Sequence, residues 1–239
     1  GTIWGGETLF GTVSGSKRVG HILPFRLLGG EAAVHEPWRV ALSTGELALN
    51  RAQALQLFPA RAREAEVLLR ASDAGLNAPV TTSMGRLFDA VAALCGLRET
   101  VSYEGQAAIA LEQIADESEQ ENYQFSIVRE PDGWIYDWRS VVRGVILDAA
   151  SGVLPSRISM RFHRALANLL AEAAKTHRAE TGCALVALSG GCFQNELLLK
   201  LCVTELTNSG FTVLINRLVP CNDGGISYGQ AAAAAALSR

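Results

Sequence analysis

The sequence has no excess of basic charge, no paired-cysteine motif and no long apolar run, and each absence removes a class of function. Lys and Arg number 21 against 24 Asp and Glu, for a formal net charge of -3. Such a chain exerts no long-range pull on phosphate backbones or anionic lipids, so bulk nucleic-acid binding is not expected. The five cysteines, Cys95, Cys183, Cys192, Cys202 and Cys221, are odd in number and none stands in CxxC spacing. A zinc ribbon or dithiol redox centre is therefore not expected, and the thiols read as free in a reducing cytoplasm. His21, His35, His163 and His177 include no pair three or four residues apart, so a metal site built wholly from this chain is not expected either. No stretch nears the roughly 18 consecutive apolar residues of a membrane helix, and no charged-then-apolar leader opens the chain. Both GxxxxGK and GxGxxG are missing, which sets aside the P-loop and the dinucleotide fingerprint.

What is present is an ordinary globular composition: 239 residues, 49% hydrophobic, enough for one large domain or two small ones. The opening Gly1-Thr2-Ile3-Trp4-Gly5-Gly6-Glu7 reads as the middle of a longer protein. Residues 2–27 alternate apolar and polar side chains about Ser14-Gly15-Ser16, which predicts a β-hairpin with one buried face. A cluster of helices is expected between Trp38 and Ser72. Ser83 is a suitable N-cap for a helix over 84–94, and further helices are expected over 105–115, 139–150 and 156–179. Short strands at 124–128 and 134–137 flank the turn Pro131-Asp132-Gly133, and the charged run Asp116 to Glu121 reads as a solvated loop. The last segment alternates: strand 183–188, glycine loop, helix 193–208, strand 211–215, loop, helix 224–237. That order predicts parallel strands joined by right-handed crossovers, an α/β fold.

The fully apolar run Ala184 to Leu188, of buried-strand type, delivers the chain into Ser189-Gly190-Gly191 before a helix. Free N–H groups and a helix N-terminus suit an anion there, and paired glycines let phosphate oxygens approach. The same loop also reads as a tight turn needing glycine only for its backbone angles. Asn195, one turn into the expected helix, offers an amide to a ligand or stands as a plain surface residue. Asp223, before Gly224-Gly225, reads as a helix cap, a metal ligand or an acid near phosphate. Both loops follow successive parallel strands, and such sheets place ligands outside the strands' carboxyl ends. Gly85 and Asp89 lie four apart on one helix face, where Asp89 would accept from ribose hydroxyls and Gly85 would give the sugar room. A solvated aspartate is the competing reading. Gly105, after Tyr103-Glu104, is a close-approach glycine or a simple helix start.

Taken together, Gly85-Arg86-Leu87-Phe88-Asp89-Ala90-Val91-Ala92, Ser102-Tyr103-Glu104-Gly105-Gln106, Ser189-Gly190-Gly191-Cys192-Phe193-Gln194-Asn195 and Asn222-Asp223-Gly224-Gly225-Ile226 resemble the C-terminal part of the HypF family of hydrogenase-maturation carbamoyltransferases. Thr2-Ile3-Trp4-Gly5-Gly6-Glu7 and Glu36-Pro37-Trp38-Arg39 fit the same family, so the resemblance covers nearly the whole chain. It implies the actin/Hsp70/sugar-kinase fold of ribonuclease-H-like lobes, with an incomplete first lobe over 1–80 (hairpin plus helical insertion) and a complete C-terminal nucleotide-binding lobe over 81–239. It further implies that carbamoyl-adenylate, made from carbamoyl phosphate and ATP elsewhere, passes its carbamoyl group to the C-terminal cysteine of the maturation protein HypE, toward the cyanide ligands of a nickel–iron hydrogenase. By matching positions, Gly85, Asp89 and Gly105 would serve the ribose, Ser189, Gly190, Gly191 and Asn195 the phosphate and acyl region, and Asp223 a divalent metal, iron or zinc. The family's H-x-x-x-H pair and an early Asp-Gly motif would fall upstream of Gly1, so this chain would supply that metal with one ligand. Cys192 replaces a commonly apolar residue, and Cys221 a common proline. No side chain of this sequence is assigned as the nucleophile. The alternatives are a small-molecule O-carbamoyltransferase of the same superfamily and an ATP-binding regulator without catalysis.

Overall fold

One carboxylate pins the start of the chain. Glu7 accepts hydrogen bonds from the N–H groups of Gly5 (2.6 Å) and Gly6 (2.7 Å) and from the Thr82 hydroxyl, which fastens the Trp4-Gly5-Gly6 turn against residues 80–83. The computed structural model describes residues 1–238; Arg239, the end of the expected C-terminal lobe, lies outside the described residues. After the turn come β1 (Glu7–Thr12), β2 (Gly15–Ile22) and β3 (Phe25–Arg26). Helices α1 (Ala32–His35), α2 (Pro37–Ala48), α3 (Arg51–Ala54) and α4 (Ala62–Asp73) follow, and then β4 (Val80–Thr81). Next are α5 (Met84–Leu94), α6 (Gln106–Gln113), β5 (Ser126–Glu130), β6 (Gly133–Asp137), α7 (Arg139–Ala150) and α8 (Pro155–Thr181). The chain ends with β7 (Leu185–Leu188), α9 (Glu196–Asn208), β8 (Thr212–Ile215) and α10 (Ile226–Leu237).

Local chemistry accounts for most of these boundaries. The Ser83 side chain accepts from the Arg86 N–H and caps α5, and Pro155 opens α8 where a missing N–H costs nothing. Gly182, at φ 71°, ends α8 in the left-handed conformation that glycine adopts freely. In the expected strand–helix–strand unit β7 and β8 are parallel, with Leu185 opposite Thr212. A separate four-stranded sheet has the order β1-β2-β6-β5, in which β2 runs parallel to β6, Gly20 facing Trp134. β3 pairs antiparallel with β4. The hairpin differs from expectation at its tip: Leu9 and Phe10 are exposed on it, because only the end near Ile22 reaches the core.

A single hydrophobic cluster runs from Ile22 to Phe211 and holds Trp38, Phe88, Trp138 and Phe162. It crosses residue 80 without a break, since α2 packs on α5 and the β2–β6 and β3–β4 pairs join the two expected lobes. The Glu36-Pro37-Trp38-Arg39 segment is one node of it: Glu36 accepts from Trp38 Nε1 (2.8 Å) and Arg39 Nε (2.9 Å), and Arg39 reaches Glu64 at 2.9 Å. The Asp116 to Glu121 run is a loop, but not wholly a solvated one. Glu119 is 5% exposed and pairs with Arg157 (2.5 Å) and Arg161 (3.1 Å) of α8. The Glu121 N–H and these guanidinium groups hold its carboxyl down to about 2. Among the described residues, no helix is long and apolar enough to cross a membrane.

Candidate functional site

Helix α5 is buried around its whole circumference from Arg86 to Ala93, so Asp89 is not the solvated aspartate that its spacing also allowed. It is 2% exposed, and Arg86 is 7% exposed. Arg86 Nη1 lies 2.8 Å from Asp89 Oδ2, yet the two atoms are not aligned as a hydrogen bond, and each is left without one. Arg86 Nη2 reaches Glu104 at 3.6 Å, in the turn that enters α6. Burial pushes the Asp89 carboxyl up to about 7; Arg86 opposes the shift and Glu104 adds to it. A half-charged buried carboxylate beside an unaligned guanidinium is costly, and such pairs concentrate where a ligand completes the hydrogen bonding.

The surroundings leave space for that ligand. A Cβ on Gly85 would meet only Ser83 Oγ at 3.7 Å and Cys192 Sγ at 3.9 Å, ordinary contacts, so packing within the chain does not demand glycine there. Gly105, at φ 83°, has nothing within 4 Å of the position a Cβ would take. Gly190, at φ 107°, needs glycine for its backbone. Its N–H is not free for an anion, however: it donates to the Cys221 carbonyl at 2.7 Å, and Ser189 Oγ donates to the same oxygen at 3.4 Å. The two glycine loops at the β7–β8 edge are thus tied together through Cys221. They border a cleft of about 800 Å³ lined by Ser189, Gly190, Ile215, Arg217, Asp223 and Tyr228.

Cys192 lies where this edge meets α5, and its thiol feels Arg86, Asp89 and Cys221. Burial pushes it up to about 11, which makes it a poor nucleophile near neutral pH. Burial likewise raises Cys95 and Cys202, both to about 12, and all five cysteines are free thiols.

Three expectations are corrected here. Asn195 does not sit one turn inside a helix, because Gly191–Gln194 form a 3-10 turn and Asn195 is the N-cap of α9. Its side-chain oxygen accepts from the Leu198 N–H at 2.7 Å, and its amide donates to His163 Nε2 at 2.9 Å, so it anchors the loop to α8. Asp223 is exposed and does not cap; the Asn222 side chain does, accepting from the Gly224 N–H at 3.1 Å. Among the described residues no three His, Cys, Asp or Glu side chains converge on a metal position, so Asp223 alone does not make a metal centre. The β7 run is not buried on both faces: Leu185 is 52% exposed, as is its neighbour on β8, Leu214, at 50%, since α9 covers one side only and α10 buries no residue.

Sequence reasoning passed over Arg86 and His163. The signal for Arg86 was its place three residues before Asp89 in an otherwise apolar run. His163 carried no signal, because its role depends on Asn195, far away in sequence. Its Nδ1 donates to the Ser159 carbonyl at 2.8 Å, which leaves Nε2 to accept from Asn195. Burial lowers it to about 4. A histidine kept neutral in the fold, against 6.5 as the ordinary value, gives stability that is full above pH 6.5 and lost as pH falls through 4. Acid unfolding over that window is expected to cost the native chain about 3 kcal/mol more than His163→Gln, as read by chemical denaturation at pH 7 and pH 4. Equal losses in both proteins would refute this.

The family model for the carbamoyltransferase, Kae1-like domain, second subdomain matches residues 1–230. The carbamoyltransferase HypF of Rhodobacter capsulatus is 39% identical over 245 residues, covering 99% of this chain and 30% of that protein. That of a Synechocystis species is 37% identical over 247 residues, covering 96% and 31%. Among solved structures, full-length HypF in its phosphate- and nucleotide-bound form superposes with a TM-score of 0.93 at 39% identity, over 99% of this chain and 31% of that one. HypF of T. kodakarensis superposes with a TM-score of 0.81 at 27% identity, over 97% and 31%. The chain therefore spans about a third of the length of the relatives it matches. A match along almost its entire length, in sequence and in fold, places it: the chain belongs to the carbamoyltransferase family, as the second subdomain of its Kae1-like domain.

Proposed function

We propose that this chain forms the nucleotide-holding half of a carbamoyl-transfer site. The observation that carries the reading is the buried Asp89 carboxylate, left without an aligned partner beside the open Gly105 turn. A carboxylate held so accepts well from the two vicinal hydroxyls of a ribose. The relative whose structure binds phosphate and nucleotide supports the same class of ligand. On this reading Gly85, Asp89 and Gly105 face the ribose, and Ser189, Gly190 and Gly191 border the phosphate and acyl end. Asn195 holds that loop in place through His163. The lobes are of the actin/Hsp70/sugar-kinase type, and the site works in the cytoplasm with ATP-derived carbamoyl-adenylate.

In the transfer itself, the thiolate of the acceptor, the C-terminal cysteine of HypE, attacks the carbamoyl carbon. The carbon–oxygen bond to the phosphate breaks and AMP leaves with the electron pair, so a thiocarbamate and AMP are the products. The acyl carbon is already activated, so the work of these residues is to fix its orientation. The carbamoylated cysteine leads to the cyanide ligands of nickel–iron hydrogenase. Asp223 would supply the expected metal with one ligand, and no step is routed through that metal, since among the described residues no two further His, Cys, Asp or Glu side chains join Asp223 around it.

A transfer assay tests the proposal. The chain, alone and grafted in place of the matching third of the Rhodobacter capsulatus relative, is given carbamoyl-adenylate and a peptide ending in cysteine. Thiocarbamate on the peptide, read by mass spectrometry, is the expected product in the graft. Nucleotide binding with no carbamoylation in either form would overturn the transferase reading.

A further inference from the structure

We propose that Arg86 is a positioning residue of this site: it joins the buried Asp89 carboxylate to the Glu104–Gly105 turn and presents both to the vicinal hydroxyls of a ribose. The inference rests on the nucleotide reading above and extends it to a residue outside the expected ribose set. The geometry is specific. One guanidinium nitrogen, Nη1, stands 2.8 Å from Asp89 Oδ2, and the other, Nη2, stands 3.6 Å from Glu104 Oε1. The planar fork thus spans α5 and the entrance to α6, the two elements that carry Asp89 and Gly105.

Arg86 is itself more than nine-tenths buried, and its Nη1 finds no aligned acceptor within the chain. A guanidinium used only to neutralise Asp89 would be expected to turn its N–H groups onto both carboxylate oxygens, the strong bidentate arrangement. Here the contact is close but misaligned, so the carboxylate keeps lone-pair directions free. Charge neutralisation and hydrogen-bond capacity are thereby separated: Arg86 supplies the first and leaves the second to a ligand. Without Arg86 the buried carboxyl would hold its proton and lose acceptor strength. Glu104 is mostly exposed, and Arg86 approaches it at 3.6 Å from α5.

The test compares AMP with 2′,3′-dideoxy-AMP by calorimetric titration. The native chain, Arg86→Met, Asp89→Asn and the double variant are used, each first shown to be folded by its melting transition. The native chain is expected to prefer AMP by about ten- to hundredfold, the worth of hydrogen bonds to a charged group. Arg86→Met should erase that preference while leaving the affinity for the dideoxy nucleotide unchanged. In the Asp89→Asn background the same change should have no further effect on the preference, because both residues act through one carboxylate. A native chain without any preference removes the ribose reading, and this inference with it. A native preference that survives Arg86→Met, or equal weakening of both nucleotides, leaves the ribose reading standing and removes Arg86 alone.

Discussion

Asp89→Asn is expected to remove about 4 kcal/mol of the stability that the native chain loses between pH 4 and pH 8 and, in the same protein, to abolish its preference for a ribonucleotide. The direction follows from the proton. The carboxyl titrates at 3.8 in its ordinary state and at about 7 in the fold, so the folded chain holds the proton more tightly. Below pH 3.8 both states are protonated and the residue costs nothing as an acid. As pH rises through 7 the folded state must carry a buried charge, and the stability present at low pH is lost. Asparagine has nothing to ionise, so this part of the pH slope should be absent from the variant, and any cost of leaving the Arg86 guanidinium without its partner should be the same at every pH. At 239 residues, 4 kcal/mol corresponds to about 10 °C, so the native melting temperature should fall by that much more than the variant's from pH 4 to pH 8. Melting curves at pH 4, 6 and 8 decide it, and an equal pH slope in the two proteins would mean that Asp89 is not strained.

Phe88→Ala should destabilise the chain by about 3–5 kcal/mol, the usual result of truncating a fully buried aromatic. Phe88 is 2% exposed and meets Phe162 edge to face, centroids 4.9 Å apart at 77°, and His163 at 5.4 Å and 66°. These contacts fasten α5 to α8, and through His163 to Asn195 and the glycine loop. The cavity would therefore open between α5 and α8, beside His163. In urea the midpoint should fall while the slope is unchanged, since the same surface is exposed on unfolding. Val67→Ala, on the exposed side of α4, is the control and should change stability by less than about 0.5 kcal/mol. A loss no larger for Phe88 than for Val67 would show that the α5–α8 contact carries little of the core's stability.

The sequence was most readable where the determining chemistry is local. Ser83 as the cap of α5, the helix over residues 139–150, the parallel β7–β8 unit and the placing of two glycine loops at one sheet edge all follow from spacing, capping and turn residues within a few positions. Asp89 was found by its distance from Gly85, and Arg86 was within reach of the same rule. Family membership was legible for a similar reason, because short ordered motifs survive in a linear string.

Tertiary structure decided what those residues are free to do. Asp89 is buried, not solvated, because α2 and α6 pack on α5, and Glu119 because Arg157 and Arg161 of α8 come to it from elsewhere in the chain. Asn195 is an anchor, not an open amide, because His163 lies opposite it on α8. The Gly190 N–H is spent on Cys221, and the apolar β7 strand is covered on one face only. The parallel pairing of β2 with β6, Gly20 with Trp134, brings together residues that no local pattern relates. The physical reason is common to all of these: propensity and periodicity act over a turn or two of chain, whereas burial, charge pairing and the commitment of a hydrogen bond depend on which distant segment arrives at the other side.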